Sequence, residues 1–103
     1  MENNIIVLRA DSVKYCSQFD EDAFFEWLNK IQCISQYDGE GSILYIYILR
    51  NLVDDCCLRE VLAIFYRYNI DMKQLVVFMT KKNKGWLSTP TAYWFDRVFN
   101  DYK

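Results

Sequence analysis

The sequence predicts an α+β fold: a small antiparallel sheet with three or four helices packed on one face. Three observations carry that expectation. Between Asn51 and Asp71, apolar residues recur at three- and four-residue steps, the period of one broad helix face. Before it, Ser42 through Leu49 reads as a strand behind a glycine-containing turn, Asp38-Gly39-Glu40-Gly41. The single proline and three glycines each fall at a turn or helix start, so nothing resembles a linker and residues 1–103 read as one domain.

Taken in order, Ile5, Ile6, Val7 and Leu8 form a largely β-branched run bounded by Asn3, Asn4 and Arg9, which predicts a buried first strand. Asp11-Ser12 marks a turn, after which Val13 and Tyr15 alternate with Lys14 and Cys16 as a possible returning strand. The first helix opens at Phe19 to Phe24, with Asp20 as its cap and Phe19 and Phe24 as a hydrophobic staple. Phe24, Trp27, Leu28 and Ile31 continue its buried stripe, each worth about 1.5–3 kcal/mol before entropy is charged. Asp22, Glu26 and Asn29 take the solvent side, with Lys30 spaced to pair with Glu26.

A β-hairpin follows, Cys33–Tyr37 against Ser42–Leu49. In its second strand Leu44, Ile46 and Ile48 point one way and Ile43, Tyr45 and Tyr47 the other. Two tyrosines on one face suit a binding platform, because rigid amphipathic rings anchor interfaces; the alternative is a face covered by its own chain.

In the central helix Cys57, Leu58, Val61, Leu62, Ile64, Phe65 and Tyr68 face the core. Arg59, Ala63 and Arg67 face solvent, Asp55 is spaced to pair with Arg59, and Asn51 or Asp54 serves as cap. Asp71 and Gln74 then offer a capping box, with Ile70 and Leu75 as staple, although the β-branched content of Leu75–Met79 leaves a strand open. Lys81-Lys82-Asn83-Lys84-Gly85-Trp86 reads as a basic loop. Ser88-Thr89-Pro90 predicts the start of a last helix whose buried stripe is Trp94, Phe95, Val98 and Phe99.

Composition narrows function. Hydrophobic residues make up 52% of the chain, too many for a disordered tail. No apolar run approaches the roughly 20 residues of a membrane span, and Met-Glu-Asn-Asn lacks the basic end of a signal peptide, so a cytoplasmic location is expected. Cys16, Cys33, Cys56 and Cys57 lack metal-site spacing and read as reduced thiols. With no histidine, the usual general base, metal ligand and nucleophile partner are all missing. No catalytic residue, metal or cofactor is assigned. Net charge is −2, but residues 1–60 carry eleven acids against five bases and residues 61–103 three against seven. An acidic front half suits a basic protein surface rather than a nucleic-acid backbone, and solvated faces are the alternative.

Three stretches together resemble small immunity proteins of contact-dependent growth inhibition and related polymorphic toxin systems. They are Asp20-Glu21-Asp22-Ala23-Phe24-Phe25-Glu26-Trp27-Leu28; Leu58 to Tyr68 with Asp71-Met72-Lys73-Gln74-Leu75; and Ala92-Tyr93-Trp94-Phe95 to Phe99. The resemblance implies a cytoplasmic bacterial inhibitor that binds the C-terminal toxin domain of a large surface protein one-to-one. That toxin is often a basic nuclease, which the inhibitor would neutralise by covering its active site. No membrane or small-molecule substrate is implied. Such families share no contact motif, so candidate contacts come from surface position: Asp22 and Glu26 on the first helix, Asp38 and Glu40 at the hairpin tip, Tyr45 and Tyr47 on the sheet. Three rivals stand beside this reading: a nucleic-acid module using Lys81 to Trp86, an oligomeric subunit, and an enzyme built on Asp54, Asp55 and Glu60.

Overall fold

The computed structural model describes residues 4–100. Met1, Glu2 and Asn3 of the opening segment, and Asp101 and Lys103 of the charge balance, lie outside the described residues.

Strand β1 (Ile5–Asp11), β2 (Ile34–Glu40) and β3 (Ile43–Leu49) form an antiparallel sheet in the order β1-β3-β2. β3 takes the centre, where both its edges are paired, and its seven residues are all apolar or aromatic. Helices α1 (Gln18–Lys30) and α2 (Asp55–Arg67) cover one face of the sheet. Leu8, Ala10, Ile46 and Ile48 from that face meet Phe24 and Leu28 of α1 and Leu58, Leu62 and Phe65 of α2 in one core cluster. The fold is therefore the α+β arrangement that the sequence predicts.

Several local expectations change. β1 is not buried throughout: Leu8 and Ala10 are at most 1% exposed, whereas Ile5 and Val7 are 42% and 46% exposed. A strand covered on one face alone must alternate, whatever its β-branched content. The hairpin turn is tighter than expected. Asp38, Gly39 and Glu40 belong to β2, paired opposite Tyr45, Leu44 and Ile43, and Gly41-Ser42 alone makes the turn. Gly41 has φ +62 while Ser42 does not have positive φ, the pattern of a type II′ turn with glycine first.

No strand forms at Val13–Tyr15. Ser12 adopts φ +50 and turns the chain away just after its N–H reaches Ser42 O at 2.7 Å. Tyr15 instead packs its ring 5.4 Å from Phe24 and 6.2 Å from Tyr68.

α1 starts earlier than its expected cap. Ser17 is the N-cap and accepts from Asp20 N–H at 3.2 Å, while the Asp20 carboxylate accepts from Cys16 N–H and from the Tyr68 hydroxyl, each at 2.8 Å. Because the cap lies at Ser17, Phe19 falls on the solvent side of the first turn. It is 84% exposed, so the Phe19–Phe24 staple does not form.

α2 is shorter than the stretch that predicts it. Arg50–Leu52 forms a 3₁₀ turn, Asp54 caps the helix by accepting from Cys57 N–H at 2.8 Å, and Asn69 ends it at φ +58. The next segment, Lys73–Phe78, is neither an α-helix nor a strand but a 3₁₀ helix. Gln74 is drawn out of a capping box: its amide donates to Arg9 O at 2.8 Å and accepts from Arg9 N–H at 2.9 Å, pairing that one residue on the outer edge of β1 as a neighbouring strand would. Pro90 begins no helix. Ser88 and Thr89 hydroxyls donate back to Lys84 O and Gly85 O of the short α3 (Lys84–Leu87), and α4 (Phe95–Phe99) starts after Trp94.

Burial sorts the thiols. Cys33 and Cys57 lie in the core while Cys16 and Cys56 are exposed. Burial, followed by the neighbouring Cys57, pushes the Cys33 thiol up to about 12. A disulfide reagent at mildly alkaline pH is expected to modify Cys16 and Cys56 quickly and the other two only after unfolding. A fast third equivalent on the native protein would contradict this packing.

Two carboxylates tie stability to acid. The bond from Cys16 N–H, then that from Tyr68, holds Asp20 below its ordinary value of 3.8, and the bond from Cys57 N–H does the same for Asp54. A depressed folded-state pKa means that the unfolded chain takes up protons first as pH falls. Their contribution is therefore present above 3.8 and lost as pH drops through the lower folded values. Denaturant melts at stepped pH should show stability falling below that point, with a shallower fall in Asp20→Asn/Asp54→Asn.

Candidate partner-binding surface

The face of the sheet turned away from the helices is the candidate surface. Strand pairing sets its layout in rows across β1, β3 and β2: Asp11–Ile43–Glu40, then Arg9–Tyr45–Asp38, then Val7–Tyr47–Gln36, with Ile5 beside Leu49 at the far end. Rows on one face lie about 7 Å apart, since side chains repeat every second residue. A bulge between Ile34 and Gln36 brings β2 into this register.

The face has a direction. One end is aliphatic, the middle is tyrosine, and the end nearest the hairpin turn carries the carboxylates of Asp11, Asp38 and Glu40. Ile43, Tyr45, Tyr47 and Leu49 are half-buried by neighbours within the sheet, and none of them belongs to or packs against the core cluster. Among the described residues, the core cluster and its packing partners therefore lie on the other side of the sheet. Arg9 is its one cation among the described residues; it lies 3.5 Å from Asp11 and 6.0 Å from the centre of the Tyr45 ring. Both members of that ion pair are more than half exposed, so it is worth at most about 1 kcal/mol and leaves the acidic end negative.

Four of the six residues singled out from sequence, Asp38, Glu40, Tyr45 and Tyr47, thus come together. Asp22 and Glu26 do not join them. They lie on the side of α1 opposite Phe24 and Leu28, so a helix and the sheet separate them from the open face. Glu26 borders a groove between α1 and α2 in which Trp27 Nε1–H donates to Glu60 at 2.9 Å, and no ion pair joins Glu26 to Lys30. Sequence reasoning missed Ile5, Val7, Arg9 and Asp11. The signal was present in the alternation of Val7, Arg9 and Asp11 with Leu8 and Ala10.

The residues of the rival readings are arranged differently. Trp86 is half-buried, and Arg59 lies 4.0 Å above its ring rather than pairing with Asp55, so the ring does not offer an open face beside Lys81, Lys82 and Lys84. Asp54 is committed to capping α2 and Glu60 to Trp27. A cleft of about 820 Å³ beside the start of α2 is bordered by Arg50, Asp54, Asp55, Lys81 and Lys82. Among the described residues no group of three or more His, Cys, Asp or Glu could hold a metal ion, and no helix is long and apolar enough to cross a membrane.

No family model, curated protein or solved structure matches the chain. The functional reading therefore rests on the open face itself.

Proposed function

We propose that the chain is an immunity-type inhibitor that binds a cognate toxin domain, a basic nuclease, in the cytoplasm and covers its active site. One observation carries the reading: a sheet face free of the core, with Tyr45 and Tyr47 at its centre and Asp11, Asp38 and Glu40 at one end. A nuclease cleft is positive because it must hold phosphates, and carboxylates enter the same field, speeding association and fixing orientation. The tyrosines supply the rigid amphipathic contact area from which interface hot spots are built.

Size constrains how the partner sits. Three strands about 4.8 Å apart and about 20 Å long offer on the order of 300 Å². A stable interface covers about 800 Å² per partner. The toxin must therefore also reach past the Gly41 turn or along the outer edge of β2, which no strand among the described residues pairs.

The test is a tagged pull-down from the source cell at moderate salt. The expected result is a basic domain recovered one-to-one, whose nuclease activity returns when the inhibitor is stripped away. Charge reversal in Asp38→Lys/Glu40→Lys should slow its association, most at low ionic strength, because these exposed charges act through a screened field. Recovery of the chain alone, or of copies of itself, would overturn the reading. A bound toxin whose association ignores the charge reversal would move the interface off this face.

A further inference from the structure

The proposed toxin contact leaves unused a second surface, formed by α2, α3 and α4. Six side chains run across it in unbroken contact. Arg59 stands 4.0 Å over the Trp86 ring, Trp86 meets Trp94 at 5.9 Å, and Trp94 meets Tyr93 at 4.9 Å. Tyr93 meets Tyr66 at 4.8 Å, and Arg97 stands 4.6 Å over Tyr66. Trp94 is the buried anchor, its indole N–H donating to Leu87 O at 2.7 Å. Tyr66 and Tyr93 are 39% and 49% exposed, and both arginines are exposed.

The arginines are the informative members. Each guanidinium carbon lies over a ring, yet among the described residues neither group has a carboxylate or hydrogen-bond acceptor. Acids close by in sequence have partners of their own: Glu60, whose charge also reaches Tyr93, accepts from Trp27, and Asp96 from the Asn100 amide at 2.6 Å. A ring-stacked guanidinium keeps its N–H edge in place and weakly hydrated, so a bidentate acceptor meets a donor fork that is already positioned. Trp86 and Tyr66 each have one ring face taken before any nucleobase could stack on it. One face of Trp86 and one of Tyr66 lie under the guanidinium groups, and the ring-to-ring contacts are edge-on, at 87°, 82° and 70°.

We propose that this strip docks an acidic segment of a protein partner, with Arg59 and Arg97 each taking a carboxylate and Tyr66 and Tyr93 packing apolar side chains between them. The composition is that of an interface centre, rich in tryptophan, tyrosine and arginine. Its charge is opposite to that of the sheet's acidic end, so the chain presents two faces for two partners. This second site stands whether or not the toxin reading holds.

The test is an NMR titration of the labelled full chain with an acetylated octapeptide of alternating glutamate and leucine, at about 20 mM salt to limit screening. The comparison ligands are the same peptide with lysine for glutamate and an eight-residue oligothymidylate. Saturable shifts are expected at the Trp86 indole N–H and the Arg59 and Arg97 Nε–H signals, from the acidic peptide alone. Arg59→Lys/Arg97→Lys keeps the charge but loses the fork and should weaken binding about tenfold, while its spectrum reports whether it remains folded. Asp38→Asn/Glu40→Gln should bind the acidic peptide no more weakly than the parent. Absence of shifts at millimolar peptide, equal response to the lysine peptide, tighter binding of the oligothymidylate, or full affinity in the lysine variant would each overturn the proposal.

Discussion

Phe24→Ala should destabilise the fold by about 3–5 kcal/mol, the range for truncating a buried phenylalanine without collapse of the space it leaves. Phe24 is fully buried, and its ring packs 4.8 Å from Tyr68 and 5.1 Å from Phe25, both edge-on, and 5.4 Å from Tyr15. Alanine would open a cavity at the junction of α1, α2 and the Ser12–Ser17 loop and forfeit three ring contacts. A domain of this size has about 5–15 kcal/mol of stability in all, so the variant should lose about a fifth of it or more. Urea unfolding of the two proteins checks this through the shift in midpoint at unchanged slope. A loss below about 1 kcal/mol would mean that the aromatic cluster is not the packed junction described here.

Tyr45→Ala/Tyr47→Ala should weaken binding of the proposed toxin about a hundredfold or more. Truncating one hot-spot tyrosine typically costs about 2 kcal/mol or more, roughly thirtyfold, and the pair act on a single patch, so the two losses need not add. The same change should cost the fold far less than Phe24→Ala. Both rings lie outside the core cluster, and cross-strand pairs contribute only about 0.2–1 kcal/mol each. Isothermal calorimetry with the partner recovered by pull-down, beside a thermal melt of the free protein, separates the two effects. Unchanged affinity in a folded double variant would remove the sheet face from the interface.

Much of the layout is readable residue by residue, and the misses share a cause. The stripes of α1 and α2, the Asp54 cap and the opposite facing of Ile46 and Tyr47 follow from local periodicity and capping chemistry, which depend on neighbours a few positions away. Phe19, Gln74 and Arg59 were misjudged because each has its outcome decided by a residue elsewhere or by a competing neighbour. Ser17 takes the cap and leaves Phe19 in solvent, Arg9 draws Gln74 to the sheet edge, and Trp86 takes the guanidinium that Asp55 was spaced to receive.

The candidate surface divides in the same way. Asp38, Glu40, Tyr45 and Tyr47 lie near one another in sequence because one hairpin carries all four, but the two-residue turn that fixes their register, in place of the four-residue turn expected, is set by the strand pairing. Asp22 and Glu26 could not be placed relative to them, because charge and exposure along a chain do not say which side of a sheet a helix will cover.

By itself the sequence determined the fold class, the strands and main helices, the apolar stripes that build the core, and the uneven charge of its two halves. These are properties of local order and composition. Only the tertiary structure decided that β1 joins the hairpin beside β3 and turns one face away from the core, that Asp22 and Glu26 lie on the far side from it, and that Arg59 and Arg97 sit over rings more than twenty residues away. Those outcomes rest on pairings between distant segments, where burial and hydrogen-bond geometry choose among arrangements that local sequence leaves equally open.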